Sequence, residues 1–214
     1  EYIDFIYDLK ENVIIREKKD LICFKFFNVS YYKLFRNMVV QINKISCLFK
    51  KNDFIQFTTS LGNVFINNKI KGNSLYLHGR SNTGKSLLTE FFLKEIYTPN
   101  RICVLNTLSE SFLLDQVSSD KHILLMNEFV YKAKFRDICL KILDHSLVDV
   151  NIKNRSSLQI ESKFHSVTAS NYSPDEQNMD EALIKRFVSI KMVKKLDSND
   201  FISILETIPY FIIY

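Results

Sequence analysis

Eight consecutive residues constrain this chain more than any other feature: Gly79-Arg80-Ser81-Asn82-Thr83-Gly84-Lys85-Ser86. They satisfy the pattern GxxxxGK[ST] in full, with a strand-like run (Ser74–His78) before them and a helical pattern (Lys85–Ile96) behind. Glycine lets the backbone wrap so that successive N–H groups point inward at phosphate oxygens. The helix that opens there adds its positive N-terminal end. Lys85 is then expected to reach the β- and γ-phosphates of a nucleotide, and the Ser86 hydroxyl to ligate Mg²⁺.

From Ser74 onward, short apolar runs alternate with helical patterns, which is the signature of an α/β sheet. The strands are expected at Ser74–His78, Arg101–Leu105, His122–Met126, His165–Ala169 and Phe187–Lys191, with helices at Lys85–Ile96 and Lys132–Leu143. Between Val148 and Ile160, two alternating arms flank a polar centre, the pattern of a β-hairpin. The tail from Asp197 reads as a short helix. Residues 1–70 show helical spacing without strand alternation: Tyr32, Phe35, Met38, Val39, Ile42, Ile45 and Leu48 recur at three and four. A second helix is expected to open at Asn52-Asp53 and run to Phe65. The chain therefore divides into a helical subdomain (1–70), suited to oligomerisation, and an α/β domain (71–214).

An acidic site is expected at the end of a strand neighbouring the loop. Ile123–Met126 runs into Asn127-Glu128, so Glu128 is the candidate for polarising an attacking water and for holding Mg²⁺ through water. Asn127 precedes it; its amide can accept a hydrogen bond from a metal-bound water but brings no charge.

The 214 residues suit one core domain with a modest appendage, and 46% hydrophobic content is enough for a real core. A net charge of +5 is compatible with a polyanionic partner without requiring one. Cys23, Cys47, Cys103 and Cys139 are scattered, with no CxxC pair, and read as reduced thiols. No apolar run is long enough to span a bilayer. Glu1-Tyr2-Ile3-Asp4 lacks the features of a signal peptide and reads as the start of a piece cut from a longer protein.

Taken in order, the loop, the strand ending in Asn127-Glu128, the Lys141–Asp144 stretch with its hairpin, and His165–Ala169 ending in Ser170-Asn171 before Arg186-Phe187 resemble one family. From Ser74 to about Met192 the chain resembles the superfamily 3 helicase domain of parvovirus-type replication proteins, and more distantly the papillomavirus replicative helicase. The resemblance implies an AAA+-like P-loop fold with a central, mainly parallel five-stranded sheet and a β-hairpin insertion. It implies that Asn171 is a polar sensor for the γ-phosphate or the lytic water, and that Arg186 is an arginine finger reaching a neighbouring subunit's nucleotide. Lys153, flanked by Asn154 and Arg155, would meet single-stranded DNA at the hairpin centre. ATP, Mg²⁺, a ring (by resemblance a hexamer) and a host-nuclear location are implied with it. Two other readings stay open: a weakly hydrolysing or non-hydrolysing assembly or DNA-packaging module, which Asn127 would suit, and a nucleotide kinase.

Overall fold

The computed structural model describes residues 6–8, 13–15, 44–65, 74–91, 93–94, 101–105, 121–150, 158–162 and 164–205. Two short strands, β1 (Ile6–Asp8) and β2 (Val13–Ile15), pair antiparallel at the start of the chain. This corrects the expectation of a purely helical segment: Ile6-Tyr7 and Val13–Ile15 are β-branched and aromatic, types that favour the pleated surface. Most of the stretch from Tyr32 to Leu48 lies outside the described residues; its end is helical at Lys44–Ser46. Helix α1 (Lys51–Phe65) forms where expected and buries Phe57, Leu61 and Val64. Phe57 stacks on Phe49 with ring centroids 4.8 Å apart.

The remaining strands are β3 (Ser74–His78), β4 (Ile102–Leu105), β5 (Ile123–Met126), β6 (Leu147–Val150), β7 (Leu158–Glu161), β8 (His165–Ser170) and β9 (Phe187–Lys191). Five of them make one sheet in the order β4-β5-β8-β3-β9, with every pairing parallel. Parallel strands covered on both faces read as continuous apolar runs, which is why Ile123–Met126 is buried at each position. Alternation then sorts the side chains by face. Leu75, Leu77, Ile123 and Leu125 join α1 and Leu87-Leu88 in one core. Tyr76, Leu124 and Met126 face a second core with Phe135, Cys139, Ile142 and Leu143. The latter come from a 3₁₀ turn (Ala133–Phe135) that leads into helix α2 (Arg136–Leu143). Truncating a fully buried member such as Leu124 to Ala is expected to cost about 2–5 kcal/mol.

Strands β6 and β7 pair antiparallel, with Val148 opposite Ile160, at the two arms expected of a hairpin. The segment joining them, which contains Lys153, Asn154 and Arg155, lies outside the described residues. Helices α3 (Glu181–Ile184) and α4 (Ser198–Leu205) complete the elements. No described helix is long and apolar enough to cross a membrane.

The strand order positions the site. Because β8 sits between β3 and β5, the carboxyl ends of three adjacent strands lie side by side. Their following loops carry Gly79–Ser86, Asn127-Glu128 and Asn171, at the edge where open parallel sheets form their ligand crevices.

Candidate functional site

The loop after β3 needs its glycines for two separate reasons. Gly79 has φ +147°, and a Cβ there would lie 2.5 Å from the Met192 carbonyl oxygen. Gly84 has φ +85°, and its Cβ would lie 2.7 Å from Leu196 Cδ1. Both clashes come from the segment after β9, which runs along the loop: Met192 N donates to His78 O at 2.8 Å and Leu196 N to Asn82 O at 2.7 Å. Asn82 also takes a left-handed φ of 61°, a conformation Asn tolerates better than most residues. A helical turn starts at once, with Leu88 N bonded to Gly84 O at 3.0 Å.

Lys85 is only 8% exposed, and its Nζ donates to the carbonyls of Gly79 (2.8 Å) and Arg80 (2.7 Å). Burial lowers its pKa from the ordinary lysine value. Thr83, also buried, donates to Arg80 O at 2.9 Å and closes the loop upon itself.

A cleft of about 750 Å³ opens at this edge, lined by Ser81–Leu87, Glu128, Ala169–Asn171 and the C-terminal stretch Leu196–Ser198 with Ile202. It brings together Ser81, Asn82, Thr83, Gly84, Lys85, Ser86, Glu128 and Asn171; Gly79 and Arg80 supply the carbonyls that hold Lys85. Glu128 has φ +50°, strain of about 1–3 kcal/mol for a residue other than glycine. The strained turn is tied to β8, since Phe129 N donates to Ala169 O at 3.0 Å. The C-terminal wall of the cleft carries no motif, and sequence reasoning missed it.

The chemistry of this donor set suits Mg²⁺ delivered with phosphates. Ser86 and Glu128 bring hard oxygens to one cleft, and Mg²⁺ is commonly held by one or two protein oxygens plus substrate phosphates. Asn127 does not join them. Its Oδ1 accepts from Thr89 Oγ1 at 3.4 Å and its Nδ2 donates to Glu90 Oε2 at 3.2 Å. Both partners sit on the turn Leu87–Phe91, which has π-helical geometry. Such bulges often occur at functional sites. The Asn127 amide thus fastens the end of β5 to the helix behind the loop.

Arg186 is not in the cleft. Its carbonyl accepts from Ser74 N at 3.2 Å, at the amino end of β3, whereas the cleft lies at the carboxyl end. Five strand residues at about 3.3 Å each separate the two edges, so Arg186 cannot touch the phosphate site of its own chain. Its guanidinium forms an ion pair with Asp144, which follows α2 and precedes the first hairpin arm. That contact raises its pKa further.

A family model described as papillomavirus helicase matches residues 35–200, most of the chain. A search of curated proteins found no match. Among solved structures, the apo C-terminal region of NrS-1 is similar at a TM-score of 0.59 with 18% identity, covering 85% of this chain and 44% of that one. The JCV helicase is similar at a TM-score of 0.50 with 20% identity, covering 83% of this chain and 54% of that one. A JCV helicase bound to a small-molecule acetamide is similar at 0.51, with 19% identity and 74% and 45% coverage. At these identities the structures speak for the fold, and the chain spans about half the length of each. The matching family is papillomavirus helicase, the more distant of the two resemblances.

Proposed function

This chain belongs to the papillomavirus helicase family, and we propose that it is the ATP-hydrolysing motor of a helicase that replicates a small viral DNA genome. One observation carries the reading: Lys85 and Ser86, Glu128 and Asn171 reach a single cleft from the ends of β3, β5 and β8. In this reading Gly79–Ser86 is a P-loop in an AAA+-like domain, with 71–214 as the motor. Residues 1–70 serve self-association.

The loop N–H groups and Lys85 hold the β- and γ-phosphates, Lys85 exchanging its loop carbonyls for phosphate oxygens. Mg²⁺, held by Ser86 and through water by Glu128, would neutralise charge on the β- and γ-oxygens. Glu128 accepts a proton from the attacking water while Asn171 holds that water in line. A bond forms from the water oxygen to the γ-phosphorus, and the bond to the β,γ-bridging oxygen breaks with its electrons leaving on ADP. Arg186 acts in trans, on the nucleotide of the next subunit in a ring, a hexamer by resemblance. Its position at the far edge of the sheet supports this role.

The arms β6 and β7 present Lys153, Asn154 and Arg155 to single-stranded DNA in the ring's channel, where contact with phosphates is blind to sequence. The host nucleus is the proposed site of action. A strand-displacement and binding assay tests the DNA arm of the proposal. Lys153→Ala should weaken single-stranded DNA binding alike for all sequences, lower the salt slope by about 0.7 per lost contact, and abolish unwinding. An unchanged slope with intact unwinding would remove Lys153 from the channel.

A further inference from the structure

One polar side chain outside every motif holds the two halves of the site together. Gln177 lies in the connection between β8 and α3, beyond Asn171. Its Oε1 accepts from the backbone N–H of Tyr131. Its Nε2 lies 2.6 Å from the Tyr76 hydroxyl, 3.0 Å from Ser170 Oγ and 3.3 Å from Phe129 O. Because Tyr131 offers a backbone N–H, the oxygen of the amide must face it, and the nitrogen must face the acceptors. The amide has one orientation only.

The partners of Gln177 pass the constraint on. Ser170 Oγ donates to Phe129 O at 2.8 Å and accepts from Tyr172 N at 3.2 Å. The Tyr76 hydroxyl donates to Tyr172 O at 3.0 Å. Burial pushes the pKa of Tyr76 up to about 12. Phe129 and Tyr131 on one loop, and Ser170 and Tyr172 on the other, are thus pinned to one amide and its two hydroxyl neighbours. Glu128 lies next to the first pair, with φ +50°, and Asn171 lies inside the second. Both Glu128 and Asn171 project into the cleft while the residues beside them are fixed.

We propose that Gln177 is a positioning residue that sets the separation of Glu128 and Asn171, and so places the attacking water between general base and sensor. This rests on the motor reading above. Gln177 touches neither nucleotide nor water in it; it acts through the two loops it joins. Hydrolysis is sensitive to such geometry: a misplacement of about 1 Å can reduce a rate about 10²-fold. Nucleotide binding depends instead on the loop after β3, which Gln177 does not contact.

The test uses the purified chain and two variants. Gln177→Met keeps the length and removes every hydrogen bond. It should lower kcat on the order of 10²-fold while affinity for a fluorescent ATP analogue stays within about twofold. Gln177→Glu supplies a second readout. Its carboxylate still accepts from Tyr131 N but cannot donate, so Ser170 and Tyr76 turn toward it and release Phe129 O and Tyr172 O. Protonation returns a donor, so the ratio of variant to native turnover should rise as pH falls. Amide hydrogen exchange gives a third readout that needs no hydrolysis: in Gln177→Met, the N–H groups of Tyr131 and Tyr172 should exchange faster while those of β5 stay protected. Native kcat in Gln177→Met, or unchanged exchange at both tyrosines, would overturn the proposal. So would an equal loss of kcat, nucleotide affinity and melting temperature, because that is general unfolding. If the native chain does not hydrolyse ATP, the motor reading fails, and the exchange experiment alone decides whether Gln177 clamps the loops.

Discussion

Arg186 and Asp144 are joined by two parallel hydrogen bonds, Nε to Oδ1 at 2.8 Å and Nη2 to Oδ2 at 2.6 Å. Their side chains are 16% and 19% exposed, so the pair is largely shielded from solvent. A planar guanidinium matched to a carboxylate in this way is held in both direction and distance. It is held at the edge of the sheet opposite its own cleft, the placement that the proposed trans role requires.

Arg186→Ala should therefore leave ATP binding nearly intact and reduce hydrolysis by about 10³-fold or more. Mixing this variant with Lys85→Ala gives the sharper measurement. In co-assembled rings some interfaces pair an intact Lys85 with an intact Arg186, and partial turnover should return. Demonstrated co-assembly with no recovery would place the role of Arg186 within its own subunit.

Asn127 leads to a prediction that runs against its place in the acidic motif. A carboxylate at 127 would face Glu90 Oε2, which now accepts from the Asn127 amide at 3.2 Å, with no proton to share. Asn127→Asp should lower stability by on the order of 1 kcal/mol, a melting shift of about 2–4 °C. High salt should shrink the shift. Adding Glu90→Gln to the same chain replaces the lost donor and should restore the native melting temperature. An Asn127→Asp chain that melts at or above the native temperature would contradict the observed pairing.

His78, the last residue of β3, has its pKa lowered below the ordinary 6.5, first by burial and further by Lys191 and Lys85, with Glu176 and Asp53 acting in the opposite sense. The unfolded chain then binds a proton more readily than the folded one, so this group's contribution is present above 6.5 and is lost as pH falls below it. Thermal melts between about pH 7.5 and pH 5.5 should show the native chain losing stability more steeply than His78→Gln. Parallel curves would mean that His78 titrates alike in both states.

Much of the sheet is legible in the sequence because parallel, doubly covered strands need unbroken apolar runs. Ser74–His78 and Phe187–Lys191 coincide with the expected strands to the residue, and the other three agree to within a residue. The loop, Glu128 and Asn171 are legible for a related reason: each stands at the end of such a run. Legibility ends where contacts depend on strand order. Nothing local in Arg186-Phe187 tells that β9 pairs with β3, which is what carries Arg186 away from the cleft. The wall formed by Leu196 to Ile202 and the clamp at Gln177 depend on single side chains meeting distant backbone, and such contacts have no period or spacing. The Asn127–Glu90 bond hides in the same way, since the π-helical turn that presents Glu90 departs from the ordinary helical register. The short N-terminal strands are three residues each, too short to show alternation beside the helical spacing that begins at Tyr32.

The central claim is that this cleft hydrolyses ATP in the service of movement on DNA. It is tested most directly by steady-state ATP turnover of the purified chain with Mg²⁺, with and without single-stranded DNA, beside Lys85→Ala. Lys85 is the loop's only buried cation, and without it the γ-phosphate loses its main positive partner. The account predicts measurable native turnover that rises when single-stranded DNA is added, and turnover at background in Lys85→Ala under both conditions. Native turnover that is absent, or hydrolysis by Lys85→Ala at the native rate, would contradict it.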